Sequence, residues 1–459
     1  MDGGRADGAA DRRLAGFLGA DAARGLARWE RSEGWGAFLP ADPWTSRGFT
    51  DAFVASLLLR PPDGGDDLNV VAKVVPPDNR REQEAHRRAL TDAADQGRPA
   101  AAEFARSHLV GLVDVDAVPT PAGRSVYFQH LAGGTALCRP LADLDPSLQA
   151  DDLVDTCLAV ARAVAADWNG PVRHTKTRVA AFLDGELREP LSGTGSVDHW
   201  TALAGLSDPG TRRIVTSQDP EPLPNPLPAA FRHPSLSGRT LDVLTGFVHG
   251  DLHLGNVLVV RDGRGVRPET FRLIDLSTYR STGPRVRDQV QLLLSALALL
   301  WPDLSDLHRD FLLTDLLRPE ASLHPRQDPL VARLIAGMHS ATWDLVQPKG
   351  FGDTWLRQYA LALQAAALRF TTFTSLSPAL RWWLLRLACR AAGRWYELAG
   401  ADCGDERPRT LVNPFPPQPP SGATAAPPDD PKPVRPVALG GRLLGEVPLL
   451  RRPDGEGSR

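Results

Sequence analysis

The segment His249-Gly250-Asp251-Leu252-His253-Leu254-Gly255-Asn256, with Leu273-Ile274-Asp275 nineteen residues beyond Asn256, sets two carboxylates and a carboxamide close together. Those three side chains are what holding Mg²⁺ and a nucleoside triphosphate over an acceptor hydroxyl requires. Mg²⁺ takes oxygen ligands and keeps several waters, so one carboxylate and one amide oxygen suffice beside the substrate phosphates.

The elements that must position them are two short strands. Val257-Leu258-Val259-Val260 and Phe271-Arg272-Leu273-Ile274 are apolar, β-rich runs, and Arg261-Asp262-Gly263-Arg264-Gly265 between them is rich in turn formers. A β-hairpin follows, and in an antiparallel pair the start of the first strand lies beside the end of the second. Asn256 and Asp275 become neighbours, and Asp251 reaches the same point from the approaching loop.

At these residues the chain resembles the protein-kinase-like superfamily, within it the aminoglycoside phosphotransferase and choline kinase branch, whose loop reads H-G-D-x-H-x-x-N and is followed by I-D. The resemblance implies a catalytic base at Asp251, and metal ligands at Asn256 and Asp275. His249 is implied as a hydrogen-bonded holder of the loop, and His253 as a residue that orients the loop or faces substrate. The competing reading of His249, Asp251 and His253 as a Zn²⁺ or Fe cluster of a hydrolase leaves Asn256 and Asp275 unused. Leu254, where the family commonly has proline, and Leu276-Ser277 after the metal aspartate depart from the pattern.

The implied fold is α+β and bilobal, a small antiparallel-sheet lobe followed by a larger, mainly helical one. In Val70-Val71-Ala72-Lys73-Val74-Val75 a lysine interrupts a strand, in a chain with four lysines against forty-eight arginines. A buried ammonium needs a partner. The resembling V-A-x-K strand, from which Val71-Ala72-Lys73 is one residue short, uses its lysine for the α- and β-phosphates and pairs it with a helix glutamate. Asp78-Asn79-Arg80-Arg81-Glu82 opens a helix to about Asp95; Glu84 is the expected partner, with Glu82 as its rival. Phe53 to Leu59 reads as a strand preceded by a phosphate-covering turn with one glycine, Gly48, and with Ser46, Thr50 and Asp51, of which Thr50 is the expected phosphate contact. Ser125 to Leu131 reads as the hinge strand, whose backbone from Gln129 to Leu131 would meet an adenine edge.

The domain reading places an amino-terminal extension at 1–31, the nucleotide-clamping lobe at 32–131, the helical lobe at 132–403 and a Pro-rich, disordered tail at 404–459. Helical spacing of apolar residues marks 151–168, 290–301, 355–373 and 379–398. Gly283 and Asp288 resemble the family's G-x-x-x-x-D, which implies that Asp288 braces the catalytic loop. Six prolines fall between Gln218 and Ser237, so an extended surface strap or lid is expected there, inside an acceptor-pocket insertion at about 184–237. Thirteen prolines lie from Gly404 onward, and that tail could dock on a protein partner.

A net charge of −3 over 459 residues argues against a nucleic-acid partner. The four cysteines have no C-x-x-C spacing, which suits reduced thiols. No apolar segment has the length of a membrane span, and Met1 to Asp11 lacks the pattern of a signal peptide. The chain therefore reads as a cytoplasmic, bacterial enzyme that uses Mg²⁺ and ATP or GTP to phosphorylate the hydroxyl of a small molecule. The other reading is a kinase-fold adaptor of bacterial conflict or signalling assemblies, similar to the ternary-complex-associated domains; the single-glycine turn and the long tail lean that way. Acidic pockets suit aminoglycosides and aromatic ones suit choline; the sequence alone leaves the acceptor open.

Overall fold

A computed structural model of the protein describes residues 13–41, 43–47, 53–75, 80–95, 97–130, 137–170, 172–187, 197–208, 210–262, 265–404 and 408–415. Two layers of different character follow one another along the chain, as the sequence predicts.

The first is a seven-stranded antiparallel sheet. It is built from β1 (Gly36–Phe38), β2 (Thr45–Arg47), β3 (Phe53–Arg60), β4 (Leu68–Val75), β5 (Gly111–Leu112), β6 (Val118–Pro119) and β7 (Ser125–His130). Strand β4 runs between β3 and β7, so both of its edges are paired. Strand alternation then sorts its residues. Val70, Ala72 and Val74 pack with Leu57, Leu59, Val126 and Phe128 beneath Leu26 and Trp29 of helix α1 (Ala20–Glu33). Val71, on the other face, packs with Trp44, Val54, Val110, Leu258 and Ile274. Lys73 shares the face of Val71 and so looks toward the second lobe. Trp29 stacks on Trp35 with centroids 5.5 Å apart. Residues 20–31, expected as part of an extension, thus belong to the core of the first lobe, because their apolar stripe closes the back of its sheet.

Helix α2 (Arg80–Asp95) and helix α3 (Pro99–His108) cross from this sheet to the second lobe. The second lobe is mainly helical. Helices α4 (Pro146–Ala163), α5 (Val179–Leu187), α6 (Val286–Leu300), α7 (Pro329–Val346), α8 (Gly352–Phe370) and α9 (Pro378–Ala399) surround one large apolar core. Trp168, Trp355 and Trp395 are fully buried in it, consistent with tryptophans at helical spacing serving as packing. The expected stripe over 151–168 ends in a π-helical turn at Val164–Trp168. Among the described residues, no helix is long and apolar enough to cross a membrane. All four cysteines are buried and unpaired.

The expected hairpin is present. Strands β13 (Val257–Asp262) and β15 (Arg272–Leu273) pair antiparallel, Val257 opposite Leu273, while β8 (Leu137–Pro140) flanks the other side of β13. The connection is longer than a tight turn: β14 (Gly265–Val266) and a 3₁₀ turn at Pro268–Thr270 lie within it. Strand β12 (Thr240–Val248), held between β9 (Arg173–Arg178) and β16 (Arg280–Pro284), delivers the chain to the loop at His249.

The Pro-rich segment is extended over Asp219–Pro224 only, turns helical at Pro228–Phe231 and Pro234–Ser237, and is no lid. β11 (Asp219–Pro224) pairs with β10 (Arg213–Thr216), which carries β17 (Arg409–Thr410) on its other edge. The reason is Asp219, buried and held by Arg386 at 2.7 Å and Arg390 at 2.7 Å from α9. Asn225 is also buried, donating to the carbonyls of Leu206 and Thr211. Residues 188–196 of the expected insertion and 416–459 of the expected tail lie outside the described residues.

Candidate active site

The loop is built on one helix face. Helix α6 carries Asp288, Gln291 and Ser295, three and seven residues apart and therefore on one side of the helix. Asp288 accepts from the amides of His249 at 2.7 Å and Gly250 at 2.8 Å; Gln291 accepts from Leu252 and Ser295 from Leu254. Four backbone amides of an irregular buried loop thus find acceptors. The implied bracing role of Asp288 is present in the geometry. The departure at Leu254 also has a physical account, since a proline there would have no N–H for Ser295. Gly250 has φ +86°, and a Cβ on it would stand 2.3 Å from the carbonyl oxygen of Thr278. Only glycine fits.

His249 is fully buried and spends both ring nitrogens on the loop. Its Nε2 donates to the carbonyl of Ile274 at 2.8 Å, and its Nδ1 accepts from the amide of Asp251 at 3.4 Å. No lone pair is left for a metal, which removes the hydrolase cluster reading. His253 accepts from the amide of Gly255 through Nδ1, leaving Nε2 to carry the proton, 3.9 Å from Asp251. Burial pushes the His253 imidazole below its ordinary value, Asp251 opposing and Arg369 assisting.

Asn256 and Asp275 meet as the hairpin requires. The amide of Ile274 donates to the carbonyl of Asn256, and Nδ2 of Asn256 donates to the carbonyl of Asp251, which leaves the carboxamide oxygen as the candidate ligand atom. Asp275 takes φ +62°, the only positive φ at a non-glycine among the described residues. Aspartate tolerates this left-handed conformation better than bulkier residues. Lys73 reaches across from β4, its Nζ 2.6 Å from Oδ1 of Asp275, and Ser277 donates to the same oxygen at 2.7 Å. The unusual serine after Asp275 therefore supports it. Burial pushes the Asp275 carboxyl up, but Lys73 and Ser277 outweigh it and hold the group well below the carboxylate range. A carboxylate and an amide oxygen at one end of a cleft fit the oxygen-ligand demand of Mg²⁺.

Asp251 has a partner that the sequence reading missed. Arg369, near the end of α8 and only 7 % exposed, places Nη2 2.8 Å from Oδ1 of Asp251. Burial pushes the Asp251 carboxyl up; Arg369, with His253 beside it, prevails and leaves it below its ordinary value. The only available signal was an arginine inside the otherwise apolar Ala365–Phe370 stretch. Gln291 and Ser295 were legible only as polar residues recurring on one face of an apolar helix.

Other expected contacts fall elsewhere. Glu84 is exposed on α2, so it is not the buried partner of Lys73; the side chain of Glu82 lies outside the described residues. The inward face of that helix carries His86 instead, with Nε2 2.6 Å from the carbonyl of Val110. Burial lowers the His86 pKa to about 4. Tyr279 ties the helix to the segment after Asp275 through Asp92 at 3.0 Å. Gln129 lies between β4 and β5, opposite Val71 and Leu112, and its buried side chain meets His86. It is an interior sheet residue rather than a free hinge edge, because a strand flanks it on each side. Leu131 and Thr50, with Gly48 and Asp51, lie outside the described residues.

Two lobes, a lysine from the sheet on an aspartate of the hairpin, and a braced loop between them make one arrangement. The fold is protein-kinase-like. No family model and no curated protein matches this chain. Among solved structures it is similar to a candidate aminoglycoside phosphotransferase from Ralstonia eutropha JMP134, at 14% identity over 82% of this chain and 97% of that one, TM-score 0.35. It is similar to a microcompartment-associated aminopropanol kinase, at 15% identity over 80% and 96%, TM-score 0.32. It is also similar to a choline kinase from Cryptosporidium parvum Iowa II, at 10% identity over 78% and 90%, TM-score 0.29.

Proposed function

We propose that the chain transfers the γ-phosphoryl group of ATP or GTP to the hydroxyl of a small molecule in the cytoplasm. The observation that carries this reading is the Lys73–Asp275 pair, which joins the two lobes beside Asn256 and the loop of Asp251. Nothing in a plain structural core calls for a lysine that is 2 % exposed to be aimed at a left-handed aspartate.

The residues divide the work. Trp44, Val54, Val71, Val110, Leu258 and Ile274 form a buried apolar cluster drawn from both lobes beside Lys73, which holds the lysine's strand against the hairpin. Lys73 holds phosphate oxygens once a nucleotide competes for it. Asn256 and Asp275 are the oxygen donors for Mg²⁺, which supplies charge neutralisation to the phosphates when bound. Asp251 accepts a hydrogen bond from the acceptor hydroxyl and orients its oxygen. That oxygen forms the new bond to the γ-phosphorus as the bond to the β-bridging oxygen breaks. The proton passes to Asp251, and the electron pair leaves with the nucleoside diphosphate.

A second reading rests on one observation: Asp251 and Asp275 are both engaged by cations of the chain itself, Arg369 and Lys73. A self-satisfied site suits an adaptor that has ceased to turn over. Titration calorimetry with Mg-ATP and Mg-GTP, followed by an assay of nucleotide consumption over hydroxylated metabolites and antibiotics, separates the two. Nucleotide binding with acceptor-stimulated consumption supports the enzyme; absence of nucleotide binding overturns it.

A further inference from the structure

The acceptor side of the loop carries a cation with one hand unused. Arg369 gives Nη2 to Asp251, whereas its Nη1 is buried and meets no hydrogen-bond acceptor among the described residues. The same side chain borders a small cavity with Glu186, Arg287, Gln291, Ala362, Ala365 and Ala366. The three alanines lie seven, four and three residues before Arg369, so they share its face of α8 and leave beside it room for about one water-sized group, such as a single oxygen of an oxyanion. The acid among these lining residues, Glu186, is paired with Arg287 at 3.1 Å, and Arg287 also donates to the carbonyl of Gly250. A buried N–H without an acceptor is costly, and a guanidinium fork suits an oxyanion.

We propose that the acceptor is an alcohol bearing a carboxylate or phosphate near its reactive hydroxyl, and that Arg369 selects it through that oxyanion. The inference rests on the phosphotransferase reading and narrows its substrate class. Arg369 bridges, with Nη2 on Asp251 and Nη1 on the oxyanion, while the hydroxyl meets the second oxygen of Asp251. A cationic acceptor would have to bring its charge beside the guanidinium, where burial strengthens the repulsion. Arg369 is a specificity residue, and Asp251 keeps the proton.

The test uses the full chain with Mg²⁺ and two separate readouts. Titration with ATP and GTP comes first and judges the phosphotransferase reading by itself. Thermal shift with a non-hydrolysable nucleotide analogue, and release of nucleoside diphosphate with ATP or GTP, are then followed across four arms. These are glycerate for the carboxylate, glycerol 3-phosphate for the phosphate, choline and kanamycin for cations, and glucose for a neutral polyol. The expected result is a response in one or both anionic arms alone. In Arg369→Gln the apparent acceptor affinity falls about 10- to 100-fold, as for a lost charge-assisted hydrogen bond. Arg369→Lys restores part of it, and the nucleotide constant stays in place. A response to choline, kanamycin or glucose equal to that of the anions overturns the proposal. So does an anion response that survives Arg369→Gln, or nucleotide binding with no anion response at all. If Arg369→Gln does not fold, the wild-type arms still decide the acceptor class.

Discussion

Residue by residue, the reacting groups are held by charge. Asp251 is the proposed base, and its replacement by Asn keeps its shape while removing the proton acceptor. Transfer in Asp251→Asn should fall by about 10²–10⁴, with Mg-nucleotide affinity retained in the same preparation; undiminished turnover would sink the assignment. Asp251→Ala should behave worse, because Arg369 would then be buried without its carboxylate. The cost is about 3 kcal/mol, read as a lower denaturant midpoint than that of Asp251→Asn. Asp275 gives a pH signature. Its folded-state value lies below its unfolded one, so its contribution is fully present above about pH 4 and fades as pH falls toward the folded value. Wild-type stability measured from pH 6 to pH 2 should lose that increment, and Asp275→Asn should show a flatter acid limb. At this scale the sequence was a good guide to the neighbourhood of Asn256 and Asp275, because an antiparallel pair sets the start of one strand beside the end of the other. It was a poor guide to partners: Arg369 lies 118 positions from Asp251.

At the scale of elements, the catalytic loop depends on helix α6 more than on itself. Asp288→Ala would orphan the buried amides of His249 and Gly250, for about 3 kcal/mol together. Asp288→Asn retains one acceptor oxygen and should cost less; equal urea midpoints for the two variants would contradict the bracing role. Gly250→Ala meets a backbone oxygen and a left-handed φ at once, so a loss above about 1–2 kcal/mol is expected, together with loss of transfer. The elements themselves were largely legible. Apolar spacing located α6, α8 and α9 within a few residues, and an apolar run broken by one lysine located β4. The sheet partners of Gln129 were not, since an inner strand and a hinge strand read alike until the neighbouring strands are known. The Pro-rich segment misled for a similar reason. Prolines set an extended backbone, but the buried Asp219 with Arg386 and Arg390 decides that it is packed rather than loose.

For the whole molecule, the lobes meet through Lys73–Asp275, Tyr279–Asp92 and the apolar cluster around Val71 and Leu258. A ligand bound between them stabilises both at once. Mg-nucleotide at 100 times its dissociation constant should add about 2.7 kcal/mol, seen as a rise in melting temperature. Lys73→Met should abolish that rise; a Lys73→Met protein still stabilised by nucleotide would remove the lysine from the phosphate site. The sequence by itself determined which side chains the loop carries and that two lobes would flank it, because residue types, apolar runs and helical spacing are local properties. Only the tertiary structure decided what faces the loop from the distant helices, namely the acceptors on α6 and the arginine on α8. Contacts across more than a hundred residues depend on how whole elements pack, and no short-range pattern records them.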